Sequence, residues 1–177
     1  MLATSLTLAD EQGLSAVTMQ AVADRLGVTP MALYRHVANK ADLLDGLVES
    51  ILEEVPLPDA ADPWPGRLAG LAQGTRAAAR RHPEIFPLLL QRAAVTPGAR
   101  RTREAVYGAL REAGLTEDDV VQLERLLATV ILGFAASEAG GRFAAHSTAE
   151  LDADFARIQE MLAWYILAAI ETAKHAH

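Results

Sequence analysis

Residues 18 to 40, TMQAVADRLGVTPMALYRHVANK, constrain the fold more than any other stretch. They read as two short helices joined by a tight turn, with the second presented outward. Thr18 can cap the first helix by accepting from a backbone N–H of its first turn. Val22, Ala23 and Leu26 then make one apolar face. Gly27 can take the left-handed conformation that ends a helix. Thr29 and Pro30 open the next helix, the cap oxygen first and the proline where no N–H is needed. The small Ala23 lets the two helices cross closely. Leu33 and Val37 point inward, which leaves Met31, Ala32, Arg35 and His36 outside and Tyr34 at the margin. A short helix displayed in this way fits a DNA major groove. Spacing alone leaves open an ordinary helical hairpin.

The rest of the chain reads as helical too. No run alternates strictly and no hairpin dipeptide appears. Residues 2–12 form a first helix ending at Gly13, with Leu2, Leu6 and Ala9 on one face. Asn39 caps a fourth helix, with Asp42 as its capping-box partner. Leu43, Leu44, Leu47, Val48 and Ile51 give that helix an apolar stripe able to pack on both halves of the protein. Residues 55–65 hold four of the eight prolines and read as a linker. Asp62 and Pro63 then start a helix that runs to about His82. Pro83 breaks it, and 84–91 makes a short helix. Thr96 with Pro97, Thr116 with Asp119, and Ser147 with Glu150 open three more helices. These end at Gly114, at Gly140 and near Lys174. The expectation is an all-α fold of about nine helices, with a head at 1–46 and a helical domain at 47–177.

Composition narrows the function classes. The chain has 177 residues, 51% of them hydrophobic, which is enough for a sizeable core. It holds no cysteine, so disulfides, thiolate nucleophiles and cysteine metal sites are excluded. The longest uncharged apolar run, 126–137, is too short to span a bilayer. No Lys or Arg precedes Arg25, so the charged start of a signal peptide is absent. A cytoplasmic protein without a membrane partner is expected. Net charge is −7. In residues 1–50, Arg25, Arg35 and Lys40 face six acidic residues, so a DNA-binding head would be acidic. It would have to rely on where its few cations sit, on neutral donors and on helix N-termini.

No catalytic set is found. A nucleophile elbow, a GxGxxG, a P-loop and HExxH are all missing, so neither an enzyme nor a cofactor is expected. His146 and Glu150 stand four apart, but they straddle a helix start where Glu150 already has a capping role, so no metal site is expected. Glu117, Asp118 and Asp119 suit the first turn of a helix. Arg100, Arg101 and Arg103 read as a solvated face.

The 18–40 segment and its flanks resemble the helix-turn-helix of TetR-type transcriptional repressors. The matching residues are Gly13-Leu14, Thr18, Ala23, Leu26-Gly27-Val28, Leu33-Tyr34, His36-Val37, Lys40 and Leu43-Leu44. The resemblance is strong over residues 5–50 and architectural beyond. Members often carry further Arg or Lys residues ahead of the first helix, whereas this chain begins inside it. The resemblance implies a repressor that binds a palindromic double-stranded DNA operator as a homodimer. Thr18, Gln20, Arg25, Thr29, Tyr34 and Lys40 would hold the phosphate backbone. Met31, Ala32, Arg35 and His36 would face base edges, and Pro30 would set the helix entry.

Two further implications concern the C-terminal half. The last two helices carry apolar residues on more than one side, among them Leu127, Ile131, Phe155, Ile158, Leu162, Tyr165 and Ile166. These suit either a monomer core or a two-fold four-helix interface, and members of the family pair through these helices. The family also binds a small-molecule effector in a cavity among its C-terminal helices. Candidate lining residues are Phe86, Leu89, Leu90, Tyr107, Phe134 and Glu138, with His82 at the mouth; each also suits plain core. With Phe, Trp and Tyr at 5%, the ligand would be apolar or amphipathic. Displacement of the 83–91 piece is the expected route from ligand to head. The rival reading is a helical ligand-binding or interaction protein of the same fold that has lost DNA binding.

Overall fold

The computed structural model describes residues 1–91 and 96–175, and among them it is built of α-helices and short turns without a strand. The head comprises α1 (Leu2–Gln12), a 3₁₀ turn (Leu14–Ala16), α2 (Met19–Leu26) and α3 (Pro30–Leu33). The connector is α4 (Lys40–Glu53). The C-terminal half comprises α5 (Trp64–Arg81), α6 (Leu88–Gln91), α7 (Pro97–Glu112), α8 (Glu117–Ala139) and α9 (Thr148–His175).

Most helices start where the caps place them. Thr18 Oγ1 accepts from Ala21 N–H at 3.1 Å. Asn39 Oδ1 accepts from Asp42 N–H at 3.0 Å, while Asp42 reaches back to Ala38 N–H at 2.9 Å. Ser147 and Glu150 close a reciprocal box, with Glu150 accepting from Ser147 N–H at 2.8 Å. Gly27 ends α2 in the left-handed region at φ 68°, where a Cβ would be strained.

Three local expectations are corrected. Thr29 stands at the cap position of α3 but makes no side-chain cap bond. α3 is one turn long, and looser turns carry the chain on, with His36 N–H donating to Leu33 O at 2.9 Å. Asp62 does not cap α5. A turn closed by Asp59, which accepts from Ala61 N–H at 2.9 Å, uses up this stretch, and Pro63 stays extended, so the helix begins at Trp64. The helix expected over 84–91 forms only at Leu88–Gln91. Pro87 supplies no N–H and disfavours helical backbone in Phe86, so three-residue turns replace a full helix there.

The connector joins the two halves through one continuous core. Leu43, Leu47 and Ile51 are fully buried in a cluster that includes Leu8 and Ala9 of α1, Val22 and Ala23 of α2, and Ala78, Ala79, Ile85 and Phe86 beyond the linker. Two smaller clusters hold the far end, one around Leu110, Val120 and Ile166, the other around Ala72, Ile131 and Phe155. By length and composition α8 could cross a membrane. Here it packs against α5 and α7, with Val120, Leu123, Ile131 and Ala135 buried.

Candidate nucleic-acid interface and core cavity

The head presents one side of the α2–α3 unit to solvent. Leu33 and Val37 are buried, which turns their neighbours outward. Met31 is 72% exposed, and Tyr34, Arg35 and His36 are exposed beside it. Ala32 and Pro30 are half-buried at the base of α3. The side chains of Arg35, His36 and Lys40 are exposed and make no hydrogen bond or ion pair to another described residue, so their donors face solvent. Thr18 keeps its hydroxyl proton available, because its oxygen serves the cap as an acceptor.

Two of the expected backbone contacts are engaged inside the head. Arg25 pairs with Glu11 of α1 at 2.8 Å. A hydrogen bond from Arg25 holds the Glu11 carboxyl below the usual carboxylate range, and the same bond raises Arg25. Gln20 Nε2 donates to Asp24 Oδ1 at 2.7 Å. Among the described residues of the head, the cations left unengaged are therefore Arg35 and Lys40.

The C-terminal half holds a half-open cavity of about 180 Å³ between α5, α7, α8 and α9. Trp64, Leu68, Leu71, Val106, Leu127, Ile131 and Leu162 supply apolar wall, and Leu52 of α4 reaches its edge. The charged pair in the wall is Arg103 and Glu124, 3.4 Å apart. Thr75 and Thr102 also line it, but each hydroxyl donates to its own helix, at Leu71 O and Gly98 O, so they offer only acceptor lone pairs inward. An apolar, half-open pocket with few polar points suits a small, mostly apolar molecule.

Of the seven residues singled out for this pocket, Leu89 lines it. Phe86 is fully buried in the core shared with the head, and Leu90 is 54% exposed. Tyr107 lies under the Arg111 guanidinium at 5.4 Å. Phe134 stacks near Phe143 and Phe155, with ring centres at 5.4 and 5.2 Å. Glu138 is consumed by a buried ion-pair network. It accepts from Arg76 at 2.6 and 2.8 Å and from Arg80 at 2.7 Å, and Asp152 of α9 joins both arginines. His82 sits at the head–core junction, between Asp10 and Glu54. The lining that sequence reasoning missed has a signal in retrospect. Ala69, Ala72, Ala99, Ala128 and Ala163 face the same space from four helices, and residues that small leave a void where helices cross.

The arginines of α7 are not a plain solvated face. Arg101 donates to the Leu52 and Glu53 carbonyls, and Arg103 pairs with Glu124. The residues expected at a subunit interface also divide. Phe155, Ile166 and Ile131 are buried within the subunit itself, Leu127 and Leu162 line the cavity, and Ile158 is half-buried. Tyr165 is exposed, in a stripe with Met161, Trp164 and Leu167 of α9 and Leu126 of α8.

A helix-turn-helix head mounted by a shared helix on a cavity-bearing helical core defines a class of bacterial regulators. The profile described as "Bacterial regulatory proteins, tetR family" matches residues 1–47, and that described as "Tetracyclin repressor-like, C-terminal domain" matches residues 56–174. The chain belongs to the TetR family. It is 32% identical over 163 residues to the HTH-type transcriptional repressor DrrR1 of Streptomyces coeruleorubidus, covering 91% of this chain and 60% of that one. The chain thus spans about three fifths of the length of that curated relative. Mycobacterium smegmatis BioQ superimposes with a TM-score of 0.82 at 25% identity, covering 95% of this chain and 96% of that one. BioQ bound to its natural double-stranded DNA operator gives 0.79 at 26%, over 94% and 95% of the two chains. A TetR variant from Acinetobacter baumannii AYE, in complex with minocycline, gives 0.79 at 27%, over 91% and 90%.

Proposed function

We propose that this protein is a cytoplasmic transcriptional repressor that binds a palindromic operator as a homodimer and releases it when a small apolar or amphipathic molecule fills the core cavity. The observation that carries this reading is α3 with the turns that follow it. Together they show Met31, Tyr34, Arg35 and His36 to solvent while Leu33 and Val37 anchor them. The BioQ operator complex and the minocycline complex support the two halves of the reading by likeness. Arg35 is the base reader, because a guanidinium can donate twice to guanine. Thr18, Thr29, Tyr34 and Lys40 hold phosphates. The α8–α9 face around Trp164 pairs two subunits, since it exposes several large apolar side chains, among them Met161, Trp164, Tyr165 and Leu126. The head is taken as residues 1–46 and the effector and pairing domain as 47–177.

A gel-shift against the DNA upstream of the protein's own gene tests the reading, with binding expected at nanomolar protein and moderate salt. Trp64 lines the cavity, so in a Trp164→Phe background its emission reports occupancy. The second reading, a regulator fold without DNA binding, is favoured by the Arg25–Glu11 pair in an already acidic head. Absence of any salt-sensitive shift together with ligand-dependent Trp64 emission would establish it.

A further inference from the structure

α4 and α7 are joined by hydrogen bonds of opposite sense. Glu49 Oε1 of α4 accepts from Gly98 N–H in the first turn of α7 at 2.6 Å. Arg101 Nη2 of α7 donates to the carbonyls of Leu52 and Glu53, at 3.1 and 3.3 Å, in the last turn of α4. Each helix thereby satisfies a group that the other's end leaves without a helical partner, the Gly98 N–H on α7 and the Glu53 carbonyl on α4, while Leu52 O also accepts from Val55 N–H. The signs also suit the dipoles, a carboxylate at an N-terminus and a guanidinium at a C-terminus. Gly98 suits the first contact, because a Cβ there would sit 3.0 Å from both Glu49 oxygens and push the carboxylate back by a few tenths of an ångström.

The same segment of α7 faces the cavity. Ala99, Thr102 and Arg103 line it, and so does Leu52 on α4. The other half of α4 belongs to the head, where Leu43 and Leu47 are fully buried and Gly46 lets Leu2 of α1 approach to 2.8 Å from where a Cβ would stand. By contrast, the 83–91 piece contributes to the cavity wall only through Leu89. We infer that the reciprocal clasp between Glu49 and Arg101 couples occupancy of the cavity to the position of the head. A molecule that presses α7 outward draws α4 with it, because parting the helices would strand the Gly98 N–H and the Glu53 carbonyl. Packed helices respond to such pressure by sliding as units. The regulatory meaning of this coupling rests on the effector reading above; the coupling itself does not.

The test needs neither the effector nor the operator. The chain has no cysteine, so Ser15→Cys in the head and Asp118→Cys at the start of α8, both exposed, accept a single pair of spin labels. Doubly labelled chain is diluted into unlabelled chain, so only intrachain distances are read. Ala128→Phe fills the cavity from α8, and Ala163→Phe fills it from α9 should the first not fold. Filling is expected to move the head-to-core distance by about 2 Å or more. In the Glu49→Met/Arg101→Met background the shift should vanish, and in Glu49→Gln, which keeps an acceptor oxygen, it should persist. An equal shift with and without the clasp, or no shift on filling the intact protein, overturns the inference. A gel-shift on the same samples scores the DNA reading separately. A head that moves on filling yet binds no DNA keeps the clasp and removes the repressor.

Discussion

His82 Nδ1 lies 2.9 Å from Asp10 Oδ2, tying the first residue after α5 to the head helix α1. Its Nε2 lies 3.0 Å from Glu54 Oε1, and Arg81 holds the other Glu54 oxygen at 2.8 Å. Imidazole thus stands between two carboxylates that belong to the head and to the end of the connector. It is a tie between head and core separate from the 2.6 Å Glu49–Gly98 bond.

Removing this tie should loosen the head without unfolding the core. His82→Ala is expected to cost about 1 kcal/mol, the usual net worth of a hydrogen-bonded contact of this kind. Amide exchange should rise in α1 and at the end of α4 while α8 keeps its protection. Unchanged exchange in α1 would show that Asp10 does not depend on His82.

DNA binding should be carried by few charges. With Arg25 held by Glu11, a dimer offers Arg35 and Lys40 from each subunit, so log K against log salt should fall with a slope of roughly −4. Arg35→Ala should lose about 1–3 kcal/mol and relax sequence preference, whereas Lys40→Ala should weaken all sequences alike. Glu11→Gln frees Arg25 and should steepen the slope toward about −5. A slope already that steep in the unmodified protein would place Arg25 on the DNA.

The proposed pairing face should be separable from the fold. Trp164 is 71% exposed, so Trp164→Asp should leave the helical content intact and yield monomers in sedimentation. Ile166 is 1% exposed, so Ile166→Asp should unfold the subunit, because an unpaired buried carboxylate costs several kcal/mol. A Trp164→Asp protein that still sediments as a dimer would move the interface elsewhere.

Acid should weaken the core through Glu138. Burial pushes its carboxyl up, but the hydrogen bonds and charges of Arg76 and Arg80 outweigh this and hold it below the usual range. A carboxyl lowered in the folded state contributes stability above its unfolded value, about 4.3, and loses it as pH falls through the folded value. The melting temperature should therefore drop on acidification below about pH 4.5. Glu138→Gln should flatten that acid limb. At neutral pH it should cost up to about 3 kcal/mol, since Arg76 would keep one amide acceptor but lose the buried opposite charge, leaving Asp152 as its carboxylate beside the Phe134 and Phe155 rings. An acid limb as steep in Glu138→Gln as in the parent would assign it to other carboxylates.

Most of the helical plan was legible because its causes are short-range. Thr18, Asn39, Thr96, Thr116 and Ser147 each cap a helix through an N–H three residues on. The apolar spacing of Leu43, Leu47 and Ile51 likewise needs only the period of one helix to place them in the core. The outward side of α3 followed from Leu33 and Val37 in the same way. Two departures from the plan have a local competitor as their cause: Asp59 takes over the turn before α5, and Pro87 blocks the helix before Leu88.

The cavity and the charged pairs lay beyond that reach. Glu138 and Arg76 are 62 residues apart in sequence, and His82 and Asp10 are 72 apart. No periodicity encodes which helix an arginine or a histidine will meet. A void likewise depends on several alanines arriving at one level from four different helices. Caps, amphipathic faces and the exposed turn of α3 are written in the order of the residues, because each depends on neighbours within about one turn. Which charges are spent on one another, and where space remains, is settled only when the helices cross, because both depend on groups that the chain brings together from far apart.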